Sequence, residues 1–97
     1  MANDRIYRLR RAILMALFEY ESYQDLDTIM NNLHLLAVNP APAEVRAEWD
    51  LLIGYGFLQP LPGYNNAVCR LNPSERVTIE KTHNPSRDER LWGFGVL

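Results

Sequence analysis

The chain has 97 residues, enough for one hydrophobic core and too few for two, since single domains typically hold roughly 100 to 150 residues. A content of 47% apolar and 23% charged residues with ten aromatics is globular composition and excludes a largely disordered or low-complexity chain. The net charge of −2 excludes a uniformly basic nucleic-acid binder, although charge is unevenly placed: Arg5, Arg8, Arg10 and Arg11 come early, Arg70, Arg76, Lys81, Arg87 and Arg90 come late, and residues 19 to 50 hold seven acids and one base.

The early arginines precede the apolar run "AILMALF", as in a secretory leader. That run is at minimal length, Glu19 and Glu21 follow it, and no small-residue cleavage site appears, so it reads as an ordinary helix. Ile6, Leu9, Ile13, Leu17 and Tyr20 recur at three and four and place helix 1 over about residues 4 to 20. Tyr7, Leu14, Met15 and Phe18 fall outside that stripe. This second apolar face calls for a cover, either the C-terminal segment of the same chain or a second copy in a homodimer, with Leu14 and Phe18 as contact residues.

Ser22 and Asp25 have capping-box spacing, which predicts a second helix ending near Leu33, with Tyr23, Leu26, Ile29, Met30 and Leu33 on its buried face. "HLLAVNPAP" reads as the following turn, because Pro40 and Pro42 each remove an amide donor and disfavour helix before them. A third helix starts at Pro42 and stops at Gly56, with Val45, Trp49, Leu52 and Ile53 inward. Residues 57–61 and 67–71 form a hairpin around the turn formers Pro62, Gly63, Asn65 and Asn66, and Pro60 and Pro62 confine its first strand to an edge or make it very short. Asn72, Pro73 and Glu75 open a short helix, although Val77, Thr78 and Ile79 would also suit a strand. The last apolar cluster, Leu91, Trp92, Phe94, Val96 and Leu97, is expected to dock. The predicted organisation is a domain over residues 1–83 and a C-terminal segment over 84–97 that packs on it or on a dimer partner. The fold class is α+β, mainly α with a small β-hairpin.

Three helices followed by a hairpin resemble a winged helix-turn-helix. The resemblance is carried by Leu52, Gly56, Phe57 and Leu58 at the end of helix 3, and by Leu71, Asn72, Pro73, Ser74 and Glu75 after the hairpin, where winged-helix repressors start another helix. "EVRAEWDLLIGYGFL", with Val45, Arg46 and Glu48, is similar to the small arsenic-repressor-like winged-helix proteins of Mu-like prophages and bacteria. The similarity covers about residues 5 to 81 and implies a three-helix core, a wing, a short C-terminal helical segment, double-stranded DNA as partner and a role in transcription regulation. The cysteines that bind metal in arsenic-type sensors are missing here, so metal sensing is not implied.

Candidate DNA-contacting residues are Arg46 on helix 3, Tyr64, Asn65, Asn66 and Arg70 on the wing, and Arg8 and Arg11 on helix 1, since cations hold phosphates and a few side chains reach base edges. Against that reading, the outward side of helix 3 is small and slightly acidic: Ala43, Glu44, Ala47, Asp50, Leu51 and Gly54. The competing expectation is a protein-interaction module, with Ala43, Ala47, Leu51, Leu14, Phe18, Trp92 and Phe94 as contacts. Sets of residues for hydrolysis, phosphate binding or zinc are not found, so the expectation is a non-enzyme without cofactor, metal or small-molecule ligand. The lone Cys69 reads as strand packing, and a reducing cytoplasm fits it.

Overall fold

The computed structural model describes residues 2–75. In chain order these form α1 (Ala2–Phe18), β1 (Gln24–Asp25), α2 (Leu26–Met30), α3 (Leu33–Val38), α4 (Pro42–Gly54), β2 (Leu58–Pro60) and β3 (Val68–Leu71). The strands make one antiparallel sheet in the order β1-β3-β2, with Gln24 opposite Cys69 and Leu58 opposite Leu71. The described part is mainly helical with a small sheet, which bears out the α+β class. Among the described residues, no helix is long and apolar enough to cross a membrane.

The core joins Leu9, Ile13, Leu14 and Leu17 of α1, Ile29 and Leu35, Val45, Trp49 and Leu52 of α4, and Leu58, Cys69 and Leu71 of the sheet. On β3 the alternation is strict: Cys69 and Leu71 point inward, Val68 and Arg70 outward. Pro60 sits in the edge strand β2, where its missing donor costs no ladder bond. α4 starts at Pro42, as expected, and its end is enforced by Gly56 at φ +86, a region that charges side chains with a Cβ a steric cost.

Several expectations need correction. Helix 1 ends at Phe18, two residues short of Tyr20. The residue capping the next helix is Asp25, whose carboxylate accepts from the Thr28 amide at 2.7 Å; Ser22 instead accepts from the Gln24 side chain. Tyr23 precedes the helix, and Gln24 and Asp25 form a strand too short to show any pattern. The second helix is also broken. Asn32 accepts from the His34 amide at 2.9 Å and starts α3, which occupies most of the stretch expected to be a turn. Leu33 is consequently 81% exposed rather than buried, and the true turn is residues 39–41, opened by Asn39 at φ 55.

The added helix explains a further difference. α3 packs along α1, so Leu14 is fully buried and Met15 and Phe18 lie half-buried against the core. The second apolar face of α1 thus finds cover within its own fold, and Leu14 offers no surface to a partner. Ile6, expected in the buried stripe, is 40% exposed. A helical turn does begin at residues 73–75, where Asn72 accepts from Ser74. The remainder of that helix, the division at residue 83, Trp92 and Phe94 lie outside the described residues.

Candidate interaction face on α4

Viewed around its axis, α4 has four sides. Val45, Trp49 and Leu52 face the core with no exposed area. Glu44 and Glu48, a turn apart, face α1, where each meets an arginine. Arg5 holds Glu44 bidentately, with Nε at 3.1 Å and Nη2 at 2.9 Å, while also donating to the carbonyls of Val38 and Asn39 at 3.4 Å. It therefore serves the carbonyl end of α3 and the first turn of α4 together. Arg10 pairs with Glu48 in a drier setting, the side chains being 13% and 14% exposed.

Glu44 also accepts from the Ala41 amide at 2.9 Å. With Arg5 as the largest cause and this amide next, its carboxyl is held well below the usual range, at about 2. A carboxylate whose pKa is lowered by folding stabilises the native state above its unfolded value and loses that contribution as pH falls through the native one. Stability is therefore expected to fall between about pH 4.5 and pH 2, with part of the slope absent in Glu44→Gln. Urea titrations of both proteins across that range provide the check.

The third side of α4 faces the hairpin. Arg46 pairs with Asp50 one turn on at 3.2 Å and donates to the Asn65 carbonyl at 2.8 Å. Trp49 donates its indole N–H to the Asn66 carbonyl at 2.7 Å, and the Cys69 thiol donates weakly to the same oxygen. Asn65 and Asn66 sit at φ 52 and φ 64, left-handed positions that Asn tolerates better than most residues. Their carbonyls are thereby turned toward α4. Burial pushes the Cys69 thiol up to about 11, which fits packing and argues against a nucleophile.

The fourth side looks outward. Ala43, Ala47 and Gly54 are exposed along its centre, with exposed Asp50 and half-buried Leu51 beside them. No cationic side chain sits on that centre line, and Arg46 at its edge is committed to Asp50 and the hairpin. The fold does bring Arg46, Asn65 and Asn66 together, with Tyr64 exposed at the loop. Arg70 lies elsewhere, on the outer face of the sheet, donating to Gln59 at 2.7 Å with its guanidinium 4.9 Å above the Tyr23 ring. Arg8 and Arg11 line a groove between α1 and α3 with Met15, His34 and Val38. α1 meets the opposite flank of α4 from Arg46, so these residues do not extend the Arg46 surface. No group of three or more His, Cys, Asp or Glu side chains that could hold a metal occurs among the described residues.

The Arg5 and Arg10 links were not foreseen, because pairs nearly forty residues apart leave no mark in local spacing. His34 is another case. Its ring meets Glu19 at 3.1 Å, and Asn32 donates to the same carboxylate at 3.0 Å, tying the start of α3 to the end of α1. Comparison with protein-family models, curated proteins and solved structures yields no match for this chain.

Proposed function

We propose that this chain is a winged-helix module that uses the outward face of α4 to contact another protein. The element order supports the architecture: α1, a short β1, a second helix present here as α2 and α3, then α4 and the β2–β3 hairpin. In that reading α4 occupies the place of the recognition helix, and residues 61–67 are the wing.

Charge carries the functional part. Between Ala12 and Cys69 the chain has one Lys or Arg and seven Asp or Glu. These residues include the second helix, α4 and the wing, the elements a winged helix normally lays on DNA. Duplex affinity depends on several Lys or Arg contacts to phosphate, commonly about six to ten in strong binders. Here a single arginine stands where several would be needed. A row of Ala43, Ala47 and Gly54 instead permits close approach of a partner backbone.

Arg46 favours the second reading, duplex DNA. Its pair with Asp50 is exposed on both sides, 41% and 50%, and such pairs contribute only about 0 to 1 kcal/mol, so the guanidinium can be released to a guanine edge. Mixing wild type and Arg46→Ala with random-sequence duplex at low salt separates the readings. The protein-contact reading expects no complex with either protein, and the DNA reading expects a salt-sensitive complex weakened by the substitution.

A further inference from the structure

Arg8, Arg11, Ala12 and Met15 recur on α1 at helical spacing and so share one face. His34 and Val38 stand a turn apart on α3. The two faces line one groove of about 300 Å³, at the small end of the range for ligand sites. Its direction is fixed by contacts at both ends. Glu19, just past α1, meets Asn32 and His34 at the start of α3, and Arg5 donates to the Val38 and Asn39 carbonyls at its end, so the two helices run antiparallel. Side chains on a helix lean toward its N-terminus, which carries Arg8 and Arg11 toward the Val38 end. Buried Ala12 and half-buried Met15 and Val38 form an apolar floor beneath them.

Charge decides what such a groove receives. Arg5 and Arg10 are balanced by Glu44 and Glu48 of α4. Arg8 and Arg11 have Asp4 as the single acid on α1 and α3, and Glu19 beyond them is engaged at the far, His34 end. Two guanidiniums against one carboxylate, over an apolar floor, complement a small organic anion. Its carboxylate meets the arginines, whose planar forks suit charge-assisted, bidentate hydrogen bonds, and its hydrocarbon body lies along Ala12, Met15 and Val38. A water's share of the liquid is about 30 Å³, so the volume admits roughly ten non-hydrogen atoms. We infer that this groove binds a monocarboxylate of about that size with an apolar body, at a site separate from the outward face of α4. Neither a bare anion nor an uncharged chain satisfies both halves of the groove.

Octanoate is of that size and is the probe. Titrated into the full chain, it should bind saturably with a dissociation constant on the order of 0.1 mM, and the amides of α1 and α3 should shift most in its nuclear magnetic resonance spectrum. Octanol and acetate should each bind at least about tenfold more weakly, since each lacks one half of the contacts. Arg8 and Arg11 are exposed, so their substitution leaves the core and the circular dichroism intact. Arg8→Gln should weaken octanoate about tenfold and Arg8→Gln/Arg11→Gln should abolish saturation, whereas Leu36→Glu, on the exposed side of α3, should change nothing. Absence of saturable binding by the wild type, an affinity indifferent to the arginine substitutions, or octanol binding equal to octanoate overturns the inference. Acetate or inorganic phosphate binding as tightly as octanoate overturns it too, by marking a bare anion surface, and loss in Leu36→Glu does so by moving the chain to the outer face of α3.

Discussion

Trp49→Ala is expected to destabilise the protein by about 3 to 5 kcal/mol, the range for deleting a large buried aromatic. For a small domain that is about half of the typical total, and it lowers Tm by tens of degrees. The reason lies in what the residue joins. Trp49 has no exposed area, belongs to the core shared by α1, α4 and the sheet, and donates the hydrogen bond that holds the Asn66 carbonyl against α4. Removal leaves a cavity and leaves that carbonyl with only the weak Cys69 thiol donor. Trp49→Phe separates the contributions, since it keeps most of the apolar volume but not the N–H, and should cost about 1 to 2 kcal/mol. Denaturant midpoints measure both. If the two variants are equally stable, the cavity contributes nothing and this view of the core is mistaken.

The second large effect belongs to Arg10 and Glu48. Each side chain is about one-seventh exposed, so deleting one partner leaves a charge in a largely dry position. Glu48→Ala and Arg10→Ala are each expected to cost about 2 kcal/mol, between the values for exposed pairs and fully buried ones. Replacing both, as in Arg10→Met/Glu48→Leu, should cost much less than the sum, because no unpaired charge then remains. A double-mutant cycle reads the coupling. Strict additivity would mean that the Arg10–Glu48 pair adds nothing to the joining of α1 and α4.

Much of α4 and its hairpin was legible in the sequence because the signals there are local and strong. Pro42, the spacing of Val45, Trp49 and Leu52, Gly56, and the paired asparagines all act within a few residues of themselves. The middle of the chain was legible only in part. β1 is two residues long and exists because Cys69 and Val68 lie across from it, which no window of sequence contains. α3 was hidden by its own face: with Leu33 and Leu36 exposed, its apolar residues follow no helical period, and the prolines after it suggested a turn. The outward face of α4 was readable from the helical spacing of Ala43, Ala47 and Asp50, all three of which are exposed. The disposition of its charges was not. Glu44 and Glu48 look like surface acids on a helical wheel, yet both are taken up by α1.

That disposition also bears on the early arginine cluster. Two of its four members, Arg5 and Arg10, hold α1 to α4, so the cluster serves the fold before it can serve any polyanion. What remains around Arg46 is a single cation, already paired with Asp50 and the Asn65 carbonyl.

A fluorescence-anisotropy titration of random-sequence duplex at about 20 mM salt, where phosphate contacts are strongest, puts the matter most directly. The protein-contact reading predicts no saturable binding by the wild type. It also predicts binding in Ala43→Arg/Ala47→Arg/Asp50→Asn, in which the same face gains two cations and Arg46 loses its carboxylate. Wild-type binding that falls steeply with added salt and is lost in Arg46→Ala would contradict it and establish α4 as a DNA-reading helix.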